Sequence, residues 1–184
     1  MDLSSGTARC APAINHLLSN HLLAGLMNIL VLCTGNSARS ILLESIFNTH
    51  APDRVRAFSA GSQPAGQVHP QSIRLLKEEG HDVGKARSKS WDEFAESDAP
   101  EMDVVITVCG SAASETCPVW PGAPVRAHWG VEDPAAAAEP DWATAFQAAY
   151  QTLHRRAKAL LDLPIETMEQ TELIAHLKRI GTLT

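Results

Sequence analysis

The chain is short of aromatic residues, with one tyrosine, four phenylalanines and four tryptophans in 184 residues. Its core must therefore be mainly aliphatic. It lacks any excess of positive charge: 15 lysines and arginines against 21 aspartates and glutamates leave a net charge of −6. That balance argues against non-specific nucleic-acid binding as its main business. No apolar run is long enough to span a bilayer, so no membrane partner is expected. Cysteines number four, Cys10, Cys33, Cys109 and Cys117, too few and too unevenly spaced for a disulfide scaffold. In a reducing cytosol, the expected location, such thiols are free, catalytic or metal-bound. Residues 1–26 lack the basic start and clean apolar segment of a secretory signal. What is present is ordinary for one globular domain: 45% apolar and 20% charged residues.

Residues 27–48, MNILVLCTGNSARSILLESIFN, organise the rest. An apolar run, Ile29 to Leu32, predicts a strand. A small polar loop follows Cys33, and from Ser40 to about His50 the pattern is that of an amphipathic helix. Val55 to Ala60 reads as a second strand closed by Gly61. A helix is expected over Gln71–Glu79 with Ile73, Leu75 and Leu76 buried, stopped by Gly80. Trp91 to Phe94 suggests a short helical turn. Asp103 to Val108 is a β-branched buried strand ending at Cys109, and Val125 to His128 is a last short strand. Asp141 to Leu161 reads as a helix with Asp141 as N-cap, and Glu169 to Arg179 as a final helix after a polar hinge, 166–171. The domain division is an extension, 1–26, then 27–162, then a C-terminal helical tail, 163–184. The extension has no assigned role, although His16 to Leu23 suits a short helix and Met27 suits a start codon; Cys10 is taken as incidental.

Strands alternating with helices imply a parallel sheet covered on both faces. Ligands of such sheets sit at the carboxyl ends of the strands. Cys33, Cys109 and the residues after His128 all fall at such ends.

Strand, loop and helix in that order place backbone N–H groups around an anion. Thr34, Gly35, Asn36, Ser37, Ala38, Arg39 and Ser40 are the candidate cradle. N–H dipoles and a nearby cation favour a thiolate, so Cys33 is expected to ionise below the usual thiol range. The planar guanidinium of Arg39 suits two parallel hydrogen bonds to a tetrahedral oxyanion. Asn36 tolerates the left-handed backbone such a loop needs, and Ser40 is placed to donate a hydrogen bond to the Cys33 sulfur. A nucleophile, a cradle and a clamp within eight residues point to attack on a phosphate-like substrate.

Cys33-Thr34-Gly35-Asn36-Ser37-Ala38-Arg39-Ser40 resembles the phosphate loop of the low-molecular-weight protein tyrosine phosphatase family. The chain is more closely similar to the arsenate reductases of that fold. The resemblance runs from about Met27 to Leu161 and includes Phe58-Ser59-Ala60-Gly61, Val105 to Cys109, Cys117-Pro118 and His128 to Pro134. It implies a flavodoxin-like three-layer α/β sandwich with a four-stranded parallel sheet. It also implies Cys33 as nucleophile, Cys109 as resolving thiol, Cys117 as the final thiol and Asp133, the residue before Pro134, as general acid, rather than Glu132. His128 and Trp129 would shape the pocket edge. By this reading no cofactor is bound, and electrons come from an external thiol reductant, thioredoxin or glutaredoxin with glutathione.

Two departures stand out. Cys109 and Cys117 lie eight residues apart, two turns on a continuous helix and too far for a disulfide unless the segment bends. The separation is one residue longer than in the thioredoxin-linked members. Some reductases of the family hold potassium with residues matching Asn36, Glu44 and Ser59 plus an aspartate; here that aspartate is Lys89. An ammonium there supplies the charge itself, so no potassium requirement is expected. A zinc site of Cys109, Cys117 and His128 lacks a fourth ligand at recognisable spacing. The reading is an arsenate reductase acting on arsenate, with phosphate as a look-alike. The main rival is a phosphatase using Cys33, Arg39 and Asp133 alone; against it stand Ala38 in the loop and Ala135 to Ala138 after Asp133-Pro134. A non-catalytic oxyanion or redox sensor is a third reading.

Overall fold

A computed structural model describes residues 26–114 and 123–184. The readings made for Cys10, for the rest of the extension and for Cys117-Pro118 lie outside the described residues. Four strands, β1 (Met27–Cys33), β2 (Val55–Gly61), β3 (Val104–Thr107) and β4 (Val125–His128), form one sheet in the order β2-β1-β3-β4. All three pairings are parallel. β1 and β3 are therefore central, and that is where the two cysteines end their strands.

Alternation along β1 feeds two cores. Ile29 and Val31 face the larger one, and Leu30 and Leu32 the smaller. All four are fully buried, and each such side chain contributes about 1.5–3 kcal/mol before chain entropy is counted. The larger core carries α1 (Arg39–His50), α4 (Trp142–Leu161) and α5 (Gln170–Ile180), with α2 (Pro70–Glu78) packed beside α4. The smaller face is closed by Phe94, Met102 and the 3₁₀ turn Trp91–Phe94. Both faces are covered, though unequally.

α1 buries Ser40, Ile41, Leu42, Leu43, Ile46 and Phe47, nearly its whole circumference, and so is the central helix of the fold. α5 inserts Leu173, Leu177 and Ile180 into the same core, continuous with the domain before it. Residues 166–171, read as a hinge, include buried Met168, and Glu166 pairs with Arg54, the residue before β2. Two details differ from expectation. Ile73 is only half-buried, because Ser72 and Leu76 take the inward face of α2. Asp141 stands at the cap position of α4 without making a capping bond, since the preceding 3₁₀ turn Glu139–Asp141 leads into the helix with αR backbone.

Candidate active site

The loop after β1 is built by tying its carbonyls outward. Thr34 O accepts from Gln63 N (3.0 Å), Gly35 O from Ala65 N (2.9 Å), and Ser37 O from His69 N (2.9 Å) and Ser72 Oγ (3.1 Å). A planar trans peptide sets each N–H opposite its carbonyl. The N–H groups of Gly35, Asn36 and Ala38 therefore turn inward, towards the Cys33 side. α1 has no side-chain cap and no acidic residue in its first turn, leaving its N-terminus suited to an anion. Asn36 has φ +42°, the left-handed conformation anticipated for it. Gly61 runs beneath the loop so closely that a Cβ there would sit 2.3 Å from Thr34 O.

Asn36 is the joint of this frame. It is fully buried, donates to Ser40 Oγ (2.9 Å) and Ser59 Oγ (2.8 Å), and accepts from the Lys89 backbone N–H (2.8 Å). Ser59 in turn donates to Glu44 Oε2 at 2.5 Å. The Lys89 ammonium lies at 3.5 Å from both Glu44 oxygens, 3.4 Å from Ser59 Oγ and 3.4 Å from Arg87 O. The lysine read from sequence as a charge beneath the loop is thus placed among Glu44 and Ser59, and is buried. Burial pushes Lys89 down and Glu44 up, and their mutual attraction opposes both shifts.

Arg39 and Asp133 meet over the loop. Arg39 Nη2 is 2.7 Å from Asp133 Oδ2, and Nη1 donates to Val131 O at 3.1 Å. Arg39 Nε is buried and, among the described residues, has no acceptor. That orphaned donor suits an oxyanion. Asp133 is also fixed from the other side, its Oδ1 accepting from Ala135 N (3.2 Å) at the start of a 3₁₀ turn. Its side chain is 43% exposed against 12% for Arg39, so solvent reaches the carboxylate while the guanidinium is shielded.

Cys33 and Cys109 are both free and buried, and their neighbouring thiols shift one another's ionisation. Cys109 Sγ also accepts from Ala112 N at 3.4 Å and lies 3.6 Å from Thr34 Oγ1. With these donors, Cys33 first among them, the Cys109 thiol is lowered to about 5. Cys33 itself is raised, while Arg39 pulls it down. The direction for Cys33 is therefore opposite to the expectation, because the neighbouring Cys109 thiol and burial outweigh the pull of Arg39. Ser40 was expected to bond the Cys33 sulfur; its hydroxyl instead accepts from Asn36.

The structure brings together Cys33, the loop 34–40, Glu44, Ser59, Lys89, Cys109 and Asp133; Cys117 lies outside the described residues. Trp129, expected at the pocket edge, is instead fully buried, with its indole N–H donating to Leu177 O at 3.0 Å. His128 is exposed and meets Thr107 Oγ1 at 2.8 Å. Among the described residues no three His, Cys, Asp or Glu side chains are grouped to hold a metal, and no helix is long and apolar enough to cross a membrane. Sequence reasoning missed the Val131 carbonyl that steadies Arg39, since a main-chain acceptor leaves no residue-type signal. It also missed Arg156, which was detectable as a cation in register with the apolar stripe Phe146, Ala149, Tyr150, Leu153, Ala157 and Leu160.

A family model described as low molecular weight phosphotyrosine protein phosphatase matches residues 28–173. An arsenate reductase of Halalkalibacterium halodurans is 35% identical over 137 residues, covering 73% of this chain and 94% of that protein. Among solved structures, an arsenate reductase from Archaeoglobus fulgidus is 28% identical with a TM-score of 0.54, covering 71% of this chain and 98% of that one. A thioredoxin-dependent arsenate reductase of Corynebacterium glutamicum has the same fold, with a TM-score of 0.57 at 23% identity over 76% of this chain and 62% of that one.

Proposed function

Because the chain belongs to the low molecular weight phosphotyrosine protein phosphatase family, and curated relatives that it matches over more than nine-tenths of their own length are arsenate reductases, we propose that it reduces arsenate to arsenite. The observation that carries the reading is that two free, buried cysteines, Cys33 and Cys109, stand at the carboxyl ends of the neighbouring parallel strands β1 and β3. A phosphatase has no use for the second thiol; a reductase needs it in reach of the first.

The geometry at Cys33 supports the first steps of the proposed sequence, and the family resemblance supplies the last. Inward N–H groups and Arg39 hold the oxyanion. Cys33 passes its proton to the neighbouring Cys109 and attacks arsenic. Asp133, released from Arg39 as the oxyanion takes its place and then protonated from solvent, gives that proton to the displaced oxygen, which leaves as water. Cys109 then attacks the Cys33 sulfur, giving its proton to the departing group. A sulfur–sulfur bond forms, the sulfur–arsenic bond breaks with its electron pair retained by arsenic, and arsenite leaves. Cys117 attacks Cys109, freeing Cys33, and the Cys109–Cys117 disulfide is reduced by an external dithiol. The donor proposed is thioredoxin, as for the Corynebacterium relative, and the setting a reducing cytoplasm. Lys89 is proposed as a built-in cation beneath the loop.

The test is arsenate turnover with thioredoxin and with glutaredoxin plus glutathione, for wild type, Cys109→Ser and Cys117→Ser. Loss in both variants with thioredoxin is expected. Full activity in both with every donor overturns the relay, and loss at Cys109 alone assigns the last transfer to an external thiol.

A further inference from the structure

The loop that carries Asp133 is held from behind by a buried cation. Arg156 on α4 is 5% exposed. Its Nε donates to Leu183 O at 2.8 Å and its Nη1 to Gly130 O at 3.1 Å. No carboxylate among the described residues pairs with it. An apolar residue would fill this stripe of α4 without desolvating a charge, so stability alone does not call for arginine. What the guanidinium provides is reach: one rigid fork joins α4, the chain's last residues and the segment after β4.

The same segment is gripped a second time. Trp129 donates its indole N–H to Leu177 O, and Gly181 lies so close that a Cβ there would come within 2.6 Å of His128 O and 2.9 Å of Trp129 Cδ1. The end of α5 therefore rests directly on His128–Trp129. One residue past Gly130, the Val131 carbonyl holds Arg39, and two further on Asp133 pairs with the same guanidinium.

We propose that Arg156 is a positioning residue that anchors Gly130 to the C-terminal end of the chain and so sets the poses of Arg39 and Asp133 over Cys33. The inference rests on the oxyanion chemistry proposed at Cys33, but not on arsenate being the substrate. Glutamine is too short to bridge both carbonyls, whereas lysine reaches one of them.

The experiment uses the full chain with Arg156→Gln, Arg156→Lys, a truncation ending at Thr182, and Arg156→Gln combined with Asp133→Asn. Folding is checked by thermal unfolding, oxyanion binding by phosphate protection of Cys33 against iodoacetamide, and chemistry by kcat and KM for arsenate. Arg156→Gln is expected to lower kcat roughly 10- to 100-fold, the scale of a misplaced catalytic group, with phosphate protection changed far less. Arg156→Lys recovers part of the loss. In the Asp133→Asn background the Arg156→Gln change adds little further loss, because both act through one loop. Full additivity, or a KM effect without a kcat effect, overturns the proposal. If Arg156→Gln does not fold, the truncation decides: it removes the Leu183 acceptor, and an unchanged kcat overturns the proposal. If wild type shows phosphate protection but reduces no arsenate, the arsenate reading alone has failed, and the same cycle is read on hydrolysis of p-nitrophenyl phosphate.

Discussion

Cys33 and Cys109 close neighbouring strands with nearly the same local recipe: a buried apolar strand, a cysteine, then small residues opening a helix. The difference lies in how soon the helix begins. After Cys33 five residues intervene before α1 starts at Arg39, and their carbonyls are pinned outward, so their N–H groups are left to a ligand. After Cys109, α3 (Gly110–Ser114) begins at once, and the Cys109 sulfur itself takes the Ala112 N–H, as an N-cap would. A long interval makes a cradle for something else; no interval makes the sulfur its own anion. Two similar cysteines thus stand in different settings, one at the foot of an open cradle and one capping its own helix.

The sharpest way to break this contrast is at Arg39, which closes the Cys33 cradle and has no counterpart after Cys109. Arg39→Lys cannot hold Val131 O, Asp133 and an oxyanion together, and kcat/KM for arsenate is expected to fall on the order of 10²- to 10³-fold. A loss under tenfold in steady-state assays would mean that the N–H groups alone suffice. A smaller effect is expected from Cys109→Ser on the ionisation of its neighbour. With the neighbouring thiol gone, Arg39 still lowers Cys33. The pH at which Cys33 becomes a thiolate should move down, and its alkylation at neutral pH should quicken roughly tenfold. In wild type the first thiolate absorbance should titrate near pH 5, at Cys109. An upward shift of Cys33 in the variant would reverse the contrast. The smallest effect concerns the support under the cradle. With the Lys89 ammonium among Glu44 and Ser59, replacing sodium by potassium at constant ionic strength should change turnover by less than about twofold, the range of weak surface ion effects. A several-fold rise would remove Lys89 from that role.

Most of the sheet was legible in the sequence, because β-branched runs such as Val104 to Ile106 have few other homes. The loop was legible because Gly35, Asn36 and Arg39 carry their conformational and chemical meaning in their identity. Lys89 was legible only by resemblance; nothing in Arg87-Ser88-Lys89-Ser90 announces a buried ammonium. The mutual effect of the two thiols was not legible, since it depends on β1 and β3 being neighbours and on Thr34 reaching Cys109. Trp129 was misplaced for a related reason. Its neighbours in sequence line the site, but its indole belongs to α5, which joins the core from the far end of the chain.

Arg39 carries an anion of its own, the tethered carboxylate of Asp133. Capture of an oxyanion there is an exchange rather than an addition. A tethered competitor acts at high effective concentration, so the incoming ion must offer more than a single negative charge. Chloride, with no oxygens to share among Gly35, Asn36 and Ala38, gains little by the trade; a tetrahedral dianion gains several hydrogen bonds at once. The ion pair thus sets a threshold of valence and shape, filtering common monovalent anions from the site before any sulfur is committed.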